Sequence, residues 1–494
     1  MNSQFMYIVI ISLYFIAMIG IGVFFSKRVS DDKDYFLAKD KLSAPVIGFS
    51  FSATQMSGST YMGTIGTVRG MGYSFVPSAL SSAAAPWFCY VLVGDRIRKI
   101  SARFKCATIA DIFEARFGRI TGIVSAVIII IASIPSIAAQ LKAAGTAFEV
   151  LIGIPYVASL FLFGGIVVVY TLLGGMFAVA WTDLIQGILM ILGMTILLPV
   201  VLVAAGGFTA MHEAYAVFNP NGISFQGSQP LMWIISGFLV WGFYQIGGQP
   251  AAVTRFQTTS DSGKLKRALI YSIIFESIIF LFVSMIAIAA GALIPELKSS
   301  DMALPMLIQT YLHPILGGVV LAAALGAMMS TVDSVLLMVS SIFVNNIYIK
   351  AFNNKDISHE KVTSLGRTIT VIIGVAGLLI AIKPPDAILW IITMGFSIMA
   401  AAFTFPLLLG LWWSKATDKA GLIGIISGAV AAVVWYVLGF IKYHSLSVFI
   451  GGIWPAVFGS LISLIVVILV SKITEETNKD TIALFFDDSD EVGA

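Results

Sequence analysis

The sequence predicts an all-α integral membrane protein of about thirteen transmembrane helices, and three observations carry that prediction. Of its 494 residues, 58% are hydrophobic and only 11% are charged, against roughly 25% charged in a soluble domain. Apolar runs of about 20 residues, the length that crosses a bilayer, recur from FMYIVIISLYFIAMIGIGVFF to LISLIVVILV. The charges gather in short stretches between those runs, and the basic residues concentrate in stretches that follow odd-numbered runs.

Taken in order, the runs place spans near 5–25, 44–66, 73–94, 119–148, 155–173, 178–204, 231–254, 267–294, 315–348, 367–383, 387–413, 419–441 and 449–471. The first lacks a basic n-region and a small-residue cleavage site, so it reads as a span and not a signal peptide. The segments after spans 1, 3, 7, 9, 11 and 13 hold 24 of the 29 Lys and Arg residues. Loop 206–230 holds none. Basic loops face the cytoplasm, which puts the N-terminus outside and the acidic tail FFDDSDEVGA inside, consistent with an odd number of spans. Cys89 and Cys106 form no framework and are expected to stay free. The spacing leaves no room for an appended soluble domain.

Irregular backbone survives in a bilayer only where it is buried in protein or lines a cavity. Span two, SFSATQMSGSTYMGTIGT, crowds Ser50, Ser52, Thr54, Gln55, Ser57, Gly58, Ser59 and Thr60 into its centre. It is either a close-packing helix, since small residues let helices approach, or an unwound segment whose carbonyls hold a cation. Span seven, WGFYQIGGQPAAVTRF, is interrupted by Gly247, Gly248 and Pro250, with Trp241, Tyr244, Gln245 and Gln249 alongside. Two interrupted spans five apart point to an inverted repeat of five helices plus five, and such a pair marks the binding site of a secondary transporter.

Other polar residues lie within the spans. In GAMMSTVDSVLL of span nine, Ala327, Ser330 and Thr331 stand at i, i+3 and i+4, on one face. Their neutral oxygens suit a hard cation, unless the hydroxyls merely bond back to their own helix. Asp183, near the start of span six, is either an intramembrane functional carboxylate or an interfacial cap. Glu276 in span eight reads as a buried structural hydrogen-bond partner before a substrate ligand. Asp333 lies about 60° round the helix from Ser330. It either tunes the same site or is a solvated or hydrogen-bonded structural residue. The histidines, His212, His313, His359 and His444, show no metal-ligand spacing.

The stretches DYFLAKDKLS (34–43), SATQMSGS (52–59), GGMFAVAWTDLIQG (174–187), TRFQTTSD (254–261) and GAMMSTVDSVLL (326–337) resemble those of the sodium/solute symporter family along the whole chain. GGQPAAVTRF, IPELKSSDMALPMLIQTYLHP, KPPDAILW and FPLLLGLWWSKATDKAG are most similar to the bacterial sodium/pantothenate symporters. The resemblance implies a LeuT-like fold with one leading helix and two trailing ones. The expected organisation is a leading helix and loop over 1–43, a transport core over 44–413 (halves 44–204 and 231–413), trailing helices over 414–471 and a cytoplasmic tail over 472–494.

It also implies a Na⁺ site formed by the carbonyls of Ala53, Met56 and Ala327 and the hydroxyls of Ser330 and Thr331. Asp183 matches an aspartate on the Na⁺ exit path. Asp333 matches no family ligand, and by its position on the helix it is expected on the Na⁺ path or beside the ion site. Gln55 stands where proline symporters carry Asp. The expected solute cavity is bounded by Gln55, Ser57, Gly58, Ser59, Trp241, Tyr244 and Gln245, with the half-helix after Gly58 turning its positive end toward a carboxylate. The expected function is Na⁺-coupled import of a small organic solute by alternating access. Pantothenate is the first candidate, and proline or a short-chain monocarboxylate is the alternative. The expected location is the inner (plasma) membrane, in contact with the lipid bilayer, without nucleic acid or an obligate protein partner. A channel would need a continuous polar stripe, an intramembrane enzyme a nucleophile with its base or an HExxH-type metal motif, and a sensor an output domain. None is legible.

Overall fold

The computed structural model describes residues 3–26, 37–38, 40–352, 358–475, 477 and 479–486. Among these the chain forms helices and no strands, as a bilayer demands of any chain not closed into a barrel. Most of the basic loop after the first span (27–36 and 39), with it residues 34–36 and 39 of the 34–43 stretch, and the acidic end of the tail (487–494) lie outside the described residues.

Helix α1 covers Ser3–Ser26. The second span divides into α2 (Ala44–Gln55) and α3 (Ile65–Met71). Helices α4 (Val76–Cys89), α5 (Asp95–Phe104) and α6 (Ile109–Phe117) lead into α7 (Arg119–Leu151). Helix α8, Tyr156–Ala204, holds the fifth and sixth spans end to end across a kink at Gly175, whose φ is 59° and ψ −174°. A short helix α9 (Phe208–Phe218) follows, then α10 (Leu231–Phe243), α11 (Pro250–Val253) and α12 (Ser262–Leu293). The chain continues through α13 (Ala303–Tyr311), α14 (Pro314–Ile342), α15 (His359–Ile382) and α16 (Ile388–Trp412). It closes with α17 (Asp418–Tyr443), α18 (Pro455–Ile473) and α19 (Lys479–Phe486). Among the described residues, eleven helices are long and apolar enough to cross a membrane. The two remaining expected spans are the broken one and the shorter helix Tyr156–Leu172.

Helix α12 packs on α2 and α4, and α4 on α10, while α7, α8, α14 and α15 all pack on one another; α8 also packs on α2 and α12. Helix α1 lies against α8 and α14, while α17 and α18 pack on each other and on α16. Helix α14 is the most enclosed, with every residue from Val320 to Ile342 buried. An apolar helix without a polar face belongs in such a position, and any charge it carries meets protein on all sides.

Side chains tie both ends of the bundle. Arg69, near the end of α3, donates to the carbonyls of Ile294 (2.8 Å from Nη2) and Pro295 (2.8 Å). Tyr215 of α9 donates to the Arg69 carbonyl at 2.9 Å. Lys142 pairs with Asp301 at 2.7 Å, and Asp301 accepts from the Ile388 N–H at the start of α16. Arg116 of α6 donates to the Gly410 and Ala416 carbonyls at the far end of α16, at 3.0 and 2.7 Å. Cys89 and Cys106 are buried and free.

A candidate cation and solute site at two helix breaks

Span two leaves the helix at Met56, whose ψ of 85° ends α2, and resumes at Gly58 with a π-helical turn over Ser59–Thr64. The interruption is therefore about two residues long, enough to release carbonyls from the helical ladder. Helix α14 meets it there. Ser330 Oγ donates to the Ala53 carbonyl at 2.8 Å and Thr331 Oγ1 to the Thr54 carbonyl at 2.9 Å. Both hydroxyls also reach back to the Ala327 carbonyl, at 3.1 and 3.2 Å. The cross-helix contacts are the shorter ones, so the hydroxyls bridge α2 and α14 as well as bonding their own helix.

Four of the five residues expected at the ion site, Ala53, Ala327, Ser330 and Thr331, are thus brought together. Met56 lies at the break, with its N–H bonded to the Ser52 carbonyl at 2.8 Å. The Thr54 carbonyl joins the cluster although the sequence did not single it out. The set is all oxygen, neutral and buried, which fits a hard monovalent cation by charge and ligand type.

One helical turn along both helices lies a buried charge cluster. Asp183 Oδ2 accepts from Ser50 Oγ at 2.5 Å and from Arg255 Nη2 at 3.1 Å. Arg255 Nε donates to Ser50 Oγ at 3.0 Å, Nη1 to the Ala251 carbonyl at 2.8 Å and Nη2 to Ser334 Oγ at 2.6 Å. Ser334 in turn shares a hydrogen bond with Thr54 Oγ1 at 3.1 Å. Spans two, six, seven and nine are joined by this one guanidinium. Asp183 is 0% exposed, so it is not an interfacial helix cap. Arg255, which the span boundaries assign to the basic loop after span seven, is equally buried. The signal that could have revealed it was charge balance, because an intramembrane Asp needs a cation.

Asp333 is fully buried, and neither carboxylate oxygen has a hydrogen-bond partner of good geometry. Its hydrogen-bonding contact is local, with the N–H and hydroxyl of the adjacent Ser334. It lies within electrostatic reach of Asp183 and Arg255. Glu276 behaves as expected, accepting from Ser52 Oγ at 2.8 Å inside the helix packing.

Span seven breaks where the sequence placed it. A π-helical turn over Tyr244–Gly248 ends at Gln249 (φ −129°, ψ 66°), and Pro250 starts the next short helix. Trp241 Nε1 donates to Ser78 Oγ at 2.8 Å, and the Tyr244 hydroxyl pairs with Ser397 Oγ at 2.8 Å. These two residues offer aromatic walls, since their polar groups are engaged elsewhere. Gln245 Oε1 and both amide atoms of Gln55 are buried without a partner. Ser57 Oγ and Ser59 Oγ bond each other at 2.7 Å. The expected anion seat is altered, because the first N–H groups of the second half-helix are already bonded within the protein. The cavity beside Thr54 and Thr331 is about 20 Å³ and is also lined by Ser133, Ser136 and Gln249. That is room for about one water, and the seven expected solute residues are packed around the breaks without lining it.

Two interrupted helices meeting inside a membrane bundle, with buried neutral oxygens between them, define a secondary transporter. The chain belongs to the sodium:solute symporter family, whose sequence profile matches residues 35–428. The chain is 30% identical to the osmoregulated proline transporter OpuE of Bacillus subtilis over 97% of each chain. It is 29% identical to the sodium/pantothenate symporter of Haemophilus influenzae, over 86% of this chain and 90% of that one. A solved Na⁺-coupled sialic acid symporter, in a substrate-bound outward-open state, superposes with a TM-score of 0.82 at 22% identity, covering 97% of this chain and 100% of that one. The fold is LeuT-like, as expected. The protein is a multi-pass Na⁺-coupled solute symporter and not an enzyme, and Na⁺ is its coupling ion.

Proposed function

We propose that this symporter imports pantothenate by alternating access, with Na⁺ held between α2 and α14. The observation that carries the solute assignment is the neutrality of the break. Gln55, buried with both amide atoms free of partners, stands where the resemblance gives proline symporters an Asp. None of the seven solute-site residues is acidic, so none would pair with the ammonium of proline. Pantothenate has a carboxylate, an amide and two hydroxyls and no cation, a set that amides and hydroxyls can serve. Curated relatives named for pantothenate and for proline stand at similar identity, so proline remains the second solute, with short-chain monocarboxylates beside it.

In this reading the carbonyls of Ala53, Met56 and Ala327 and the hydroxyls of Ser330 and Thr331 ligate Na⁺. The ion ties the group α2, α4, α10, α12 to the group α7, α8, α14, α15. The halves 44–204 and 231–413 form the repeat, flanked by the leading helix within 1–43, the trailing pair within 414–471 and the tail 472–494. The basic loops put the N-terminus outside and the tail in the cytoplasm of the plasma membrane. The Asp183–Arg255 cluster then lies on the cytoplasmic side of the ion, on its exit path, with Asp333 tuning it. Each inward Na⁺ gains about 2.3 kcal/mol per 100 mV of membrane potential.

The test is [³H]pantothenate uptake into proteoliposomes under an imposed Na⁺ gradient, with unlabelled proline and propionate as competitors. We expect uptake that collapses when K⁺ replaces Na⁺ and that neither competitor blocks. Uptake indifferent to the cation, or competed fully by proline, contradicts the assignment.

A further inference from the structure

The break of α2 starts a new half-helix, and its first N–H groups would be the natural anion seat. Here the protein itself bonds them. The Ser59 N–H donates to Ser57 Oγ at 3.2 Å, and those of Thr60 and Tyr61 to the Ser57 carbonyl at 2.9 and 3.1 Å. The Gly58 N–H reaches across to α7, to Oε1 of Gln140, at 2.6 Å. A backbone N–H can only donate, so the atom facing it must be the amide oxygen of Gln140. What remains is the NH₂ group. Gln140 is 0% exposed, and its Nε2 has no partner. Leaving a buried donor unmet is costly, so an acceptor oxygen on the solute is its natural partner.

The residue at the break is glycine for the same reason. A Cβ on residue 58 would lie 2.9 Å from Gln140 Oε1 and 2.7 Å from the Ala143 Cβ. Close approach of α7 to the break is thus built into the backbone. Ser136 stands four residues before Gln140, on the same face, and its hydroxyl is also buried without a partner.

We propose that Gln140 is a specificity-determining residue: Gly58 fixes its amide oxygen, and its NH₂ group donates to a carboxylate or carbonyl oxygen of the solute. The proposal rests on the solute site lying at the break, as argued above. It replaces the direct seat on the half-helix by a relay, in which the break holds Gln140 and Gln140 holds the solute. Such a site admits an anion without any Arg or Lys, and it discriminates against solutes that offer no acceptor there, because its donor would then go unmet.

The experiment compares wild type with Gln140→Glu in proteoliposomes, using [³H]pantothenate and its neutral alcohol, panthenol, as competitor. Glutamate keeps the shape and an oxygen for the Gly58 N–H, but exchanges the NH₂ for a second oxygen. The expected result is a KM for pantothenate raised about tenfold or more, stronger inhibition by panthenol, whose hydroxyl can donate, and an unaltered Na⁺ concentration for half-maximal uptake. An unchanged KM, or KM and Na⁺ dependence impaired together, overturns the proposal. Should Gln140→Glu not assemble, Gln140→Asn withdraws the same amide by one methylene, and there too a raised KM is expected and an unchanged one overturns. Wild type that takes up no pantothenate at all overturns the proposed function along with this inference. Uptake by wild type with no KM change in Gln140→Glu overturns this inference alone.

Discussion

Arg255 makes five hydrogen bonds inside the protein, to Ser50, Ala251, Thr254, Asp183 and Ser334. Breaking a buried pair by removing one partner typically costs about 3–5 kcal/mol, because the other charge is left uncompensated. Asp183→Asn should therefore lower the thermal unfolding midpoint of the detergent-solubilised protein, and adding Arg255→Gln should restore part of the loss. A double variant as unstable as the sum of the singles would show that the pair is not coupled. Asp333 should act differently, since its hydrogen-bonding contact is local, to the adjacent Ser334, and no ion pair across spans depends on it. Asp333→Asn is expected to leave the unfolding midpoint nearly in place and to raise the Na⁺ concentration for half-maximal uptake several-fold, and unaltered Na⁺ dependence would leave it no part in ion handling. The sequence made Asp183 and Asp333 conspicuous because each is a lone charge in an apolar run. It hid Arg255 beyond the end of such a run, where only the fold carries it back into the interior. Gln140 was hidden for another reason: a single amide on an apolar helix has no periodicity to betray it, and its meaning comes from Gly58 on a different span.

The two breaks differ in how far the backbone departs from helix. Span two leaves it for about two residues at Met56 and Ser57, whereas span seven passes through a π-helical turn and stops at Gln249. Both were legible, because Gly, Ser and Pro at mid-span oppose a continuous helix. The kink at Gly175 was not. The sequence gap between spans five and six was short, but a φ of 59° with ψ −174° is fixed by how α8 must turn to pack both its halves. That region is essentially open to glycine alone, and another residue there carries a strain of about 1–3 kcal/mol. Gly175→Ala is expected to lower the unfolding midpoint without changing the KM for the solute. An unchanged midpoint would mean that the turn relaxes to another conformation.

Across the whole molecule, all thirteen expected spans coincide with helical segments, because bilayer thickness fixes their length more tightly than any propensity does. How the spans assemble could not be read from hydropathy. Lipid is as apolar as a leucine side chain, so helix association in a membrane depends on close packing and polar contacts, and these appear only in three dimensions. Ion coupling centres on one junction, where Ser330 and Thr331 of α14 close on the carbonyls of Ala53 and Thr54. If Na⁺ is held there and ties the two helix groups together, then losing a hydroxyl ligand should weaken the ion and leave the translocation machinery in place. The decisive measurement is the Na⁺ dependence of solute uptake by Ser330→Ala and Thr331→Ala in proteoliposomes. Each substitution should raise the Na⁺ concentration for half-maximal uptake about tenfold, the equivalent of one lost oxygen contact, while uptake at saturating Na⁺ persists. A half-maximal concentration equal to that of wild type in both variants would place the coupling ion elsewhere.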